Sequence, residues 1–400
     1  MIHLNQNSIK YLIGEYIYSS TLDFNVFDEY IVDFFDALSK ELMKSAVAKK
    51  YPDVTTFAFY VRKANVNKLK EQYFNELDGV RKLGRGLVFH IAPSNVPVNF
   101  AYSLFASLIC GNKNIVKVSS KDFDQVGIIC DAIKSVLNDF NKLNEYITIV
   151  RYNNEKEVTD YFSSICDVRV VWGGDNTINY IKQSAVKPRC REVLFADRYS
   201  LLVIDSNYYN VLSDEEKTKI AHNVYNDTYL SDQNACTSPR LICFIGDKNV
   251  NDEFYDNLQK EVISKYTYKP IFTTNKLLDS CKFAINTDEL EPKIIFHDNK
   301  NIIIRIIVDK LSDRIIDNSG NTGLFVESSI ESINELKGLC NDDRVQTITY
   351  VGDKKIFNDL LDLKLSGIDR IVPAGESMDF NLIWDGYNLV EMFTRNIKII

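Results

Sequence analysis

From residue 84 onward the sequence alternates short apolar runs with amphipathic stretches of helical spacing, which limits the chain to few folds. A short apolar run bounded by turn residues reads as a strand buried on both faces. Apolar residues three and four apart read as a helix with one buried side. In this reading "GLVFHIA" (86–92), "NIVKVSS" (114–120), "YITIV" (146–150) and "VRVVWGG" (168–174) are strands. The intervening "VNFAYSLFASLICGN" (98–112), "DFDQVGIICDAIKSVLNDF" (122–140) and "EKEVTDYFSSI" (155–165) are helices, as is the following "NTINYIKQSA" (176–185). Gly111 stands where the first of these helices should stop, because a helix commonly ends on a left-handed glycine. Such alternation predicts an α/β fold, a parallel sheet with helices on both faces.

A second alternating block follows. Its strands are "SLLVID" (200–205), "RLICFIG" (240–246), stretches near 294–297 and 302–308, and "VQTITYVG" (345–352). Its helices are "DEEKTKIAHNVYNDTYL" (214–230), "VNDEFYDNLQKEVISKY" (250–266), "ESINELKGLC" (331–340) and "KKIFNDLLDLKL" (354–365). Four hundred residues exceed what one core serves, so more than one domain is expected. The boundaries predicted are 1–197 for the first domain and 198–365 for the second, with 366–400 packing back on the first domain or on a partner subunit. The first 80 residues read as helical, and the last 35 as irregular but packed.

Charge excludes some functions. The net charge is −8, and the 47 Lys and Arg residues are scattered among 55 Asp and Glu with no basic arm. Binding to nucleic acid or an anionic membrane by bulk charge is therefore not expected. No run approaches the apolar length of a membrane span, and the first residues lack the pattern of a signal peptide. A cytoplasmic protein is expected. The eight cysteines form no CxxC pair and no zinc spacing, so no metal site is predicted and most of them read as small buried hydrophobes.

Chemistry is sought in the loops that follow strands, since ligands of open parallel sheets bind at the carboxyl ends of the strands. The glycines of "GRG" (84–86) precede a strand, so they read as a turn and not as a dinucleotide fingerprint. Asn95, in "APSNVPVNF" (92–100), is either a donor to a developing oxyanion or a turn asparagine bonded to its own backbone. Lys117, Ser119 and Ser120, in "KVSS", suit a phosphate or ribose, or else form a solvated strand end. Gly173 and Gly174, in "VWGGDNTIN" (171–179), leave backbone N–H groups facing an anion at a helix start, unless Asp175 or Asn176 is a plain N-cap. Cys236, in "SDQNACTSPR" (231–240), lies between Asn234, Ala235, Thr237 and Ser238, whereas the other seven cysteines lie in or beside apolar runs. A reactive thiol must be exposed and ionised, which singles out Cys236. His3, His90, His222 and His297 are all distant in sequence, and none is an evident partner.

This order of loop asparagine, "NIVKVSS", "GG" and loop cysteine resembles the aldehyde dehydrogenase superfamily. Within it the chain is similar to the acyl-CoA reductase (fatty acyl reductase) family, which includes the reductase of the bacterial luciferase pathway. The resemblance is carried by "GLVFHIAPSNVPVNFAYSLFASLICGNKNIVKVSS", "SDQNACTSPRLICF", "RVQTITYVG" and "GIDRIVPAGESMDFNLIWDG", between residues 84 and 386. It implies a Rossmann-type cofactor domain and a second α/β catalytic domain. Cys236 would be the nucleophile, and Asn95 would stabilise the oxyanion together with the Cys236 backbone N–H. Lys117 would contact the adenosine ribose or its phosphate, with Ser119 and Ser120 beside it, and Gly173 and Gly174 would lie beneath the cofactor phosphates. Ser120 stands where NAD-using relatives carry a glutamate, which implies NADPH.

Two departures accompany the resemblance. Glu192, in "REVLFADRYS" (191–200), does not match the spacing of the water-activating glutamate of hydrolytic relatives. The later glutamate that holds the nicotinamide ribose is missing, which leaves Asp317 in "IIDNSGNTG" (315–323) as its nearest stand-in. The implied reaction is NADPH-dependent reduction of an acyl thioester, acyl-CoA or acyl-protein, to an aldehyde. The alternatives are an aldehyde dehydrogenase or acyl-phosphate reductase of the same fold, or a non-catalytic acyl-accepting subunit. The implied partners are an acyl-transferring protein and further copies of this chain.

Overall fold

The structure, a computed structural model, describes residues 9–15, 21–74, 79–247, 249–297, 301–318 and 320–399. The chain divides into two compact units, Met1–Ala196 with Phe380–Ile400, and Asp197–Asp379. Residues 366–379 thus lie in the second unit, and the last 21 residues in the first.

The first unit contains strands β1 (Lys10–Ile13), β2 (Val80–Gly84), β3 (Leu87–Ile91), β4 (Lys113–Lys117), β5 (Ile147–Arg151), β6 (Val168–Trp172) and β7 (Arg191–Phe195). Its helices are α1 (Glu29–Lys44), α2 (Pro52–Tyr60), α3 (Lys63–Tyr73), α4 (Asn99–Leu108), α5 (Asp124–Leu137), α6 (Lys156–Ile165) and α7 (Asp175–Lys182). Six strands form one sheet in the order β1-β5-β4-β3-β6-β7. All neighbours are parallel except β1 and β5. The apolar runs are continuous because both faces are covered. Val88, Val116 and Val170 point into a core shared with α1, α2, α4 and α5. Their neighbours Phe89, Ile115 and Val171 point into a second core with Phe162 of α6 and Ile178 of α7.

Gly111 has φ +78°, and a Cβ there would lie 2.6 Å from the Phe24 carbonyl oxygen. Both the left-handed backbone and the close approach therefore require glycine. Of the glycines of "GRG", Gly84 ends β2 and is not part of a turn, while Gly86 forms the bend into β3: it has φ +138°, and Asp167 accepts the next N–H, that of Leu87, at 2.9 Å.

The helical expectation for the first 80 residues holds for α1 to α3 but not for β1 and β2. Part of that expectation, at 1–8, 16–20 and 75–78, lies outside the described residues. Strand β1 has four residues, too few to show a period, and exists by pairing antiparallel with β5. The edge strand β7 is likewise absent from the strands that periodicity predicts.

The second unit contains β8 (Tyr199–Asp205), β9 (Pro239–Ile245), β10 (Lys293–Phe296), β11 (Ile304–Ile307), β12 (Leu324–Ile330), β13 (Val345–Val351) and β14 (Arg370–Pro373). They form one sheet in the order β10-β11-β12-β9-β8-β13-β14, parallel except for β10 against β11. Its helices are α8 (Ser206–Asn210), α9 (Asp214–Tyr229), α10 (Val250–Lys265), α11 (Pro270–Asn286), α12 (Lys337–Cys340) and α13 (Asn358–Asp362). Helix α9 begins in a capping box between Ser213 and Glu216, a device that satisfies two otherwise orphaned N–H groups. The single helices expected at 331–340 and 354–365 each split into a 3₁₀ turn followed by a short α-helix.

Strand β12 is interior to this sheet, yet periodicity does not predict it. Its sequence, LFVESSI, carries Glu327 and two serines, which hide the apolar signature. Glu327 is buried because Arg305 of β11 donates to it at 2.7 Å and Asn251 at 2.8 Å. A buried carboxylate is tolerated when it is paired and hydrogen-bonded.

The tail joins the first unit as a short hairpin of β15 (Ile383–Trp384) and β16 (Tyr387–Asn388), helix α14 (Leu389–Phe393) and strand β17 (Thr394–Lys398), which pairs antiparallel with β2. No helix among the described residues is long and apolar enough to cross a membrane.

Candidate functional site

In the first unit the chain passes from β3 outward through β4 to β5, then returns to place β6 on the other side of β3. The strand order reverses there, and the crevice outside the carboxyl ends at such a point is where α/β sheets bind ligands. The loops after β3, β4 and β6 carry Asn95, Lys117 to Ser120, and Gly173 with Gly174. Three adjacent parallel strands thus bring six of the seven expected site residues to one edge of one sheet.

Asn95 is exposed in the loop that leads into α4. Lys117 ends β4 half-buried, with Nζ 4.9 Å from the centre of the Tyr152 ring. Burial pushes its pKa down, and the charge of Glu155 opposes that shift. Glu155 Oε2 is itself buried without a hydrogen-bond partner among the described residues. Ser119 is buried, and its hydroxyl accepts the Lys121 N–H at 3.1 Å, whereas Ser120 is exposed.

The Gly173 N–H donates to Phe195 O at 3.1 Å, and a Cβ on Gly173 would come within 3.0 Å of Thr177 Cγ2. Gly174 is the N-cap of α7 and Asp175 its first residue, so neither Asp175 nor Asn176 is the cap. A glycine cap brings no side chain of its own to the helix start, which leaves backbone N–H groups for a phosphate, with the Asp175 carboxylate in the first turn working against an anion. A cation, exposed polar groups and an open helix start at a reversal of strand order together fit the phosphates and ribose of a dinucleotide.

Glu192 lies near the start of β7, at the opposite edge of the sheet from these loops. It accepts from Arg169 Nη2 at 2.5 Å and from Nε at 3.0 Å, and the Arg169 side chain is only 1% exposed. This role is structural. Glu192→Ala leaves a buried guanidinium unpaired, and a destabilisation of about 2–3 kcal/mol is expected in urea unfolding. That is below the ~3–5 kcal/mol typical of fully buried pairs, because water reaches the half-exposed glutamate. A variant of unchanged stability but lost activity would instead give Glu192 a chemical role.

His90 is enclosed between Ser103 Oγ at 2.7 Å and Asn114 Oδ1 at 3.0 Å, and burial lowers its pKa to about 4. It is a neutral core histidine. His222 bonds Glu261, and His297 bonds Asp256. His3 lies outside the described residues.

In the second unit Cys236 lies between the end of α9 and the start of β9. The loop begins with two left-handed residues, Asp232 at φ +52° and Gln233 at φ +58°. That costly backbone is held by the Gln233 side chain, which is fully buried. It donates to Pro239 O at 2.9 Å and Leu324 O at 3.2 Å, and accepts the Gly323 N–H at 2.9 Å. Strain of this kind persists where surrounding structure over-determines it. Ser200 Oγ donates to Cys236 O at 2.7 Å, and Ser238 Oγ to Asp227 O at 2.7 Å. Cys236 is thereby held half-buried on a rigid loop.

Exposure does not single it out, since Cys190 is also half-buried and Cys281, on α11, is exposed. The expectation that most of the other cysteines are buried holds for Cys110, Cys130, Cys166, Cys243 and Cys340, but Cys281, beside an apolar stretch, lies on the exposed side of its helix. Burial pushes the Cys130 and Cys340 thiols up to about 12, and the Cys110 and Cys243 thiols upward as well, so these four are inert at neutral pH.

Packed on the cysteine loop is the segment 374–379. Asp227 of α9 accepts the N–H groups of Gly375 at 2.6 Å and Ser377 at 3.1 Å. Burial raises the Asp227 pKa to about 6. Gly375 has φ +100°, and a Cβ there would lie 2.8 Å from Asn223 Cγ. Met378 Sδ reaches Thr237 Oγ1 at 3.3 Å. Asp227, Gln233, Arg240 and Arg370 are not singled out by sequence. The segment "RIVPAGE", which begins at Arg370, is the signal available there. Asp317 pairs with Arg344 at 2.5 Å and is largely exposed, and no contact among the described residues places it beside this loop.

Residues 65–395 match the family model of the acyl-CoA reductases (LuxC). The chain is 22% identical over 318 residues to the long-chain acyl-protein thioester reductase of Photobacterium phosphoreum, covering 76% of this chain and 60% of that protein. It is 22% identical over 313 residues to the enzyme of the same name from Aliivibrio fischeri, covering 76% and 61%. The chain therefore spans about three fifths of the length of these relatives. Among solved structures it superposes on the lactaldehyde dehydrogenase of Escherichia coli with a TM-score of 0.63 at 12% identity, covering 92% of this chain and 85% of that one. It superposes equally, at 0.63 and 12%, on the glyceraldehyde-3-phosphate dehydrogenase GapN of Methanocaldococcus jannaschii complexed with NADP, covering 92% and 88%. These likenesses establish an aldehyde-dehydrogenase-like α/β fold.

Proposed function

Because the chain belongs to the acyl-CoA reductase (LuxC) family, we propose that it reduces an acyl thioester to an aldehyde through an acyl-enzyme on Cys236. The observation that carries this reading is the Cys236 loop, a half-buried thiol fixed by Gln233 and Ser200. The name of the relatives supports an acyl-protein as donor, and acyl-CoA is the other thioester of the same chemistry. The partner is then a protein that transfers the acyl group.

In this reading the Cys236 thiolate attacks the thioester carbonyl carbon, forming one C–S bond as the bond to the carrier sulfur breaks. The carrier leaves as a thiol after taking up a proton. Asn95 and the Cys236 backbone N–H are the proposed donors to the oxyanion. Lys117, Ser119, Ser120, Gly173 and Gly174 are the proposed cofactor residues. Ser119 acts through its turn, because its hydroxyl is engaged with Lys121. When bound, reduced nicotinamide supplies the hydride that turns the acyl group into an aldehyde. Release of the aldehyde returns Cys236 to its thiolate. Glu192 is held by Arg169, so it gives no support to a water-activating role and hence none to hydrolysis of the acyl-enzyme.

The test is to mix purified protein with NADPH and a panel of acyl-CoAs and acyl-proteins, following aldehyde and the loss of cofactor absorbance. An acyl adduct that forms but survives NADPH would reduce the protein to an acyl-accepting subunit.

NADPH is the proposed cofactor. The balance lies between Lys117, which attracts a 2′-phosphate, and Glu155, which tempers that charge. Ser120 adds no carboxylate. A charge-assisted contact of about 1.5–3 kcal/mol corresponds to roughly ten- to a hundredfold in kcat/KM for NADPH over NADH. Ser120→Glu should collapse this ratio and Glu155→Gln should widen it. Equal use of both cofactors by the unaltered protein would show that this edge does not read the phosphate.

A further inference from the structure

Two arginines of the second unit surround the Cys236 loop, and neither is part of the reaction described above. Arg240, near the start of β9, donates from Nη2 to Gln233 O at 3.2 Å, bridging the ends of the loop that carries Cys236 at its middle. Arg370 opens β14. Its Nη1 donates to Ser377 O at 3.0 Å, and its Nη2 to Asp379 O at 3.1 Å and Glu376 O at 3.4 Å. The segment 376–379 is thus wrapped around the Arg370 head, and its Met378 touches Thr237, the residue after Cys236.

These bonds go to carbonyl oxygens and fix where each guanidinium stands, while the carboxylates of Asp379, Asp227 and Glu376 temper the charge of Arg370 and that of Asp197 tempers Arg240. Both arginines interact electrostatically with Cys236. Both are partly buried, burial being the largest cause of their lowered pKa. A guanidinium stays protonated even so, and in a partly buried setting its field on a nearby thiol is less screened than in water.

We propose that Arg240 and Arg370 are positioning residues that hold the Cys236 thiol as the thiolate. This rests on the reading of Cys236 as nucleophile. The other charged or titratable groups around them are Asp227, Glu376 and Asp379 near Arg370, and Asp197 and Tyr199 near Arg240. Asp227 fixes the segment 375–377 by its two backbone bonds and so sets where Arg370 stands.

The test is the pH profile of Cys236 alkylation by iodoacetamide, read on the Cys236 peptide by mass spectrometry, with the full chain and no substrate or cofactor. Arg240→Met and Arg370→Met should each move the midpoint upward by about one pH unit. Near neutral pH the reaction then slows roughly tenfold. At alkaline pH, above the Cys236 midpoint of the parent and of each variant, each variant should reach the parent rate, which shows the loop intact. Arg240→Lys and Arg370→Lys keep the charge and should recover most of the neutral-pH rate. An unchanged profile in both Met variants overturns the proposal. So does slowing at every pH, which reports lost access and a purely structural role. If Cys236→Ala still takes an acyl group, the nucleophile reading fails instead, and the alkylation profile still judges the two arginines separately.

Discussion

Cys236→Ala is expected to abolish both acyl labelling and thioester reduction, while Cys243→Ala and Cys281→Ala leave both largely intact. The three residues separate the requirements of a nucleophile. Cys243 is fully buried in β9 with its thiol pKa pushed upward. Cys281 is exposed, but on a helix surface. Of the three, Cys236 combines partial exposure with a loop held by Gln233 and Ser200 and with two arginines acting on it. Intact-mass measurement after mixing with an acyl-CoA, with and without NADPH, reads both steps. An adduct that persists in Cys236→Ala, or disappears in Cys281→Ala, would move the chemistry to another sulfur.

Asn95→Ala should lower kcat by about 10²–10³, the typical cost of losing one oxyanion donor, with little change in cofactor affinity. The amide is exposed in the loop after β3, beside the loops proposed to hold the cofactor. Its hydrogen bond is wanted only when negative charge develops on the acyl oxygen, so the loss should fall on kcat. Single-turnover release of the carrier thiol measures this step apart from hydride transfer. A near-normal rate would make Asn95 a turn residue that merely shapes the entry to α4.

Much of the frame is legible in the sequence because burial on both faces leaves a plain mark. Strands β3 and β6 are nearly unbroken apolar runs, β4 carries Ile115 and Val116 between polar ends, and this pattern is enough to group the loops that follow them as one set. Periodicity fails at β12, where Glu327 interrupts the apolar pattern. That strand is stable only because Arg305 and Asn251, distant in sequence, meet the carboxylate. It fails again at β1, whose four residues have meaning only beside β5.

The site divides in the same way. Local composition marks Cys236 by its small polar neighbours, marks Gly173 and Gly174 by their place between strand and helix, and gives no reason to single out Arg370, Asp227 or Gln233. Those three act through partners as far apart as Asp227 and Ser377, or Gln233 and Leu324. What the sequence by itself determined is the order of strands and helices and the residue types at their ends, since periodicity and turn chemistry are short-range properties. What only the tertiary structure decided is which charges and hydrogen-bonding groups surround the thiol, because electrostatic fields and buried polar networks depend on distance in space and not along the chain.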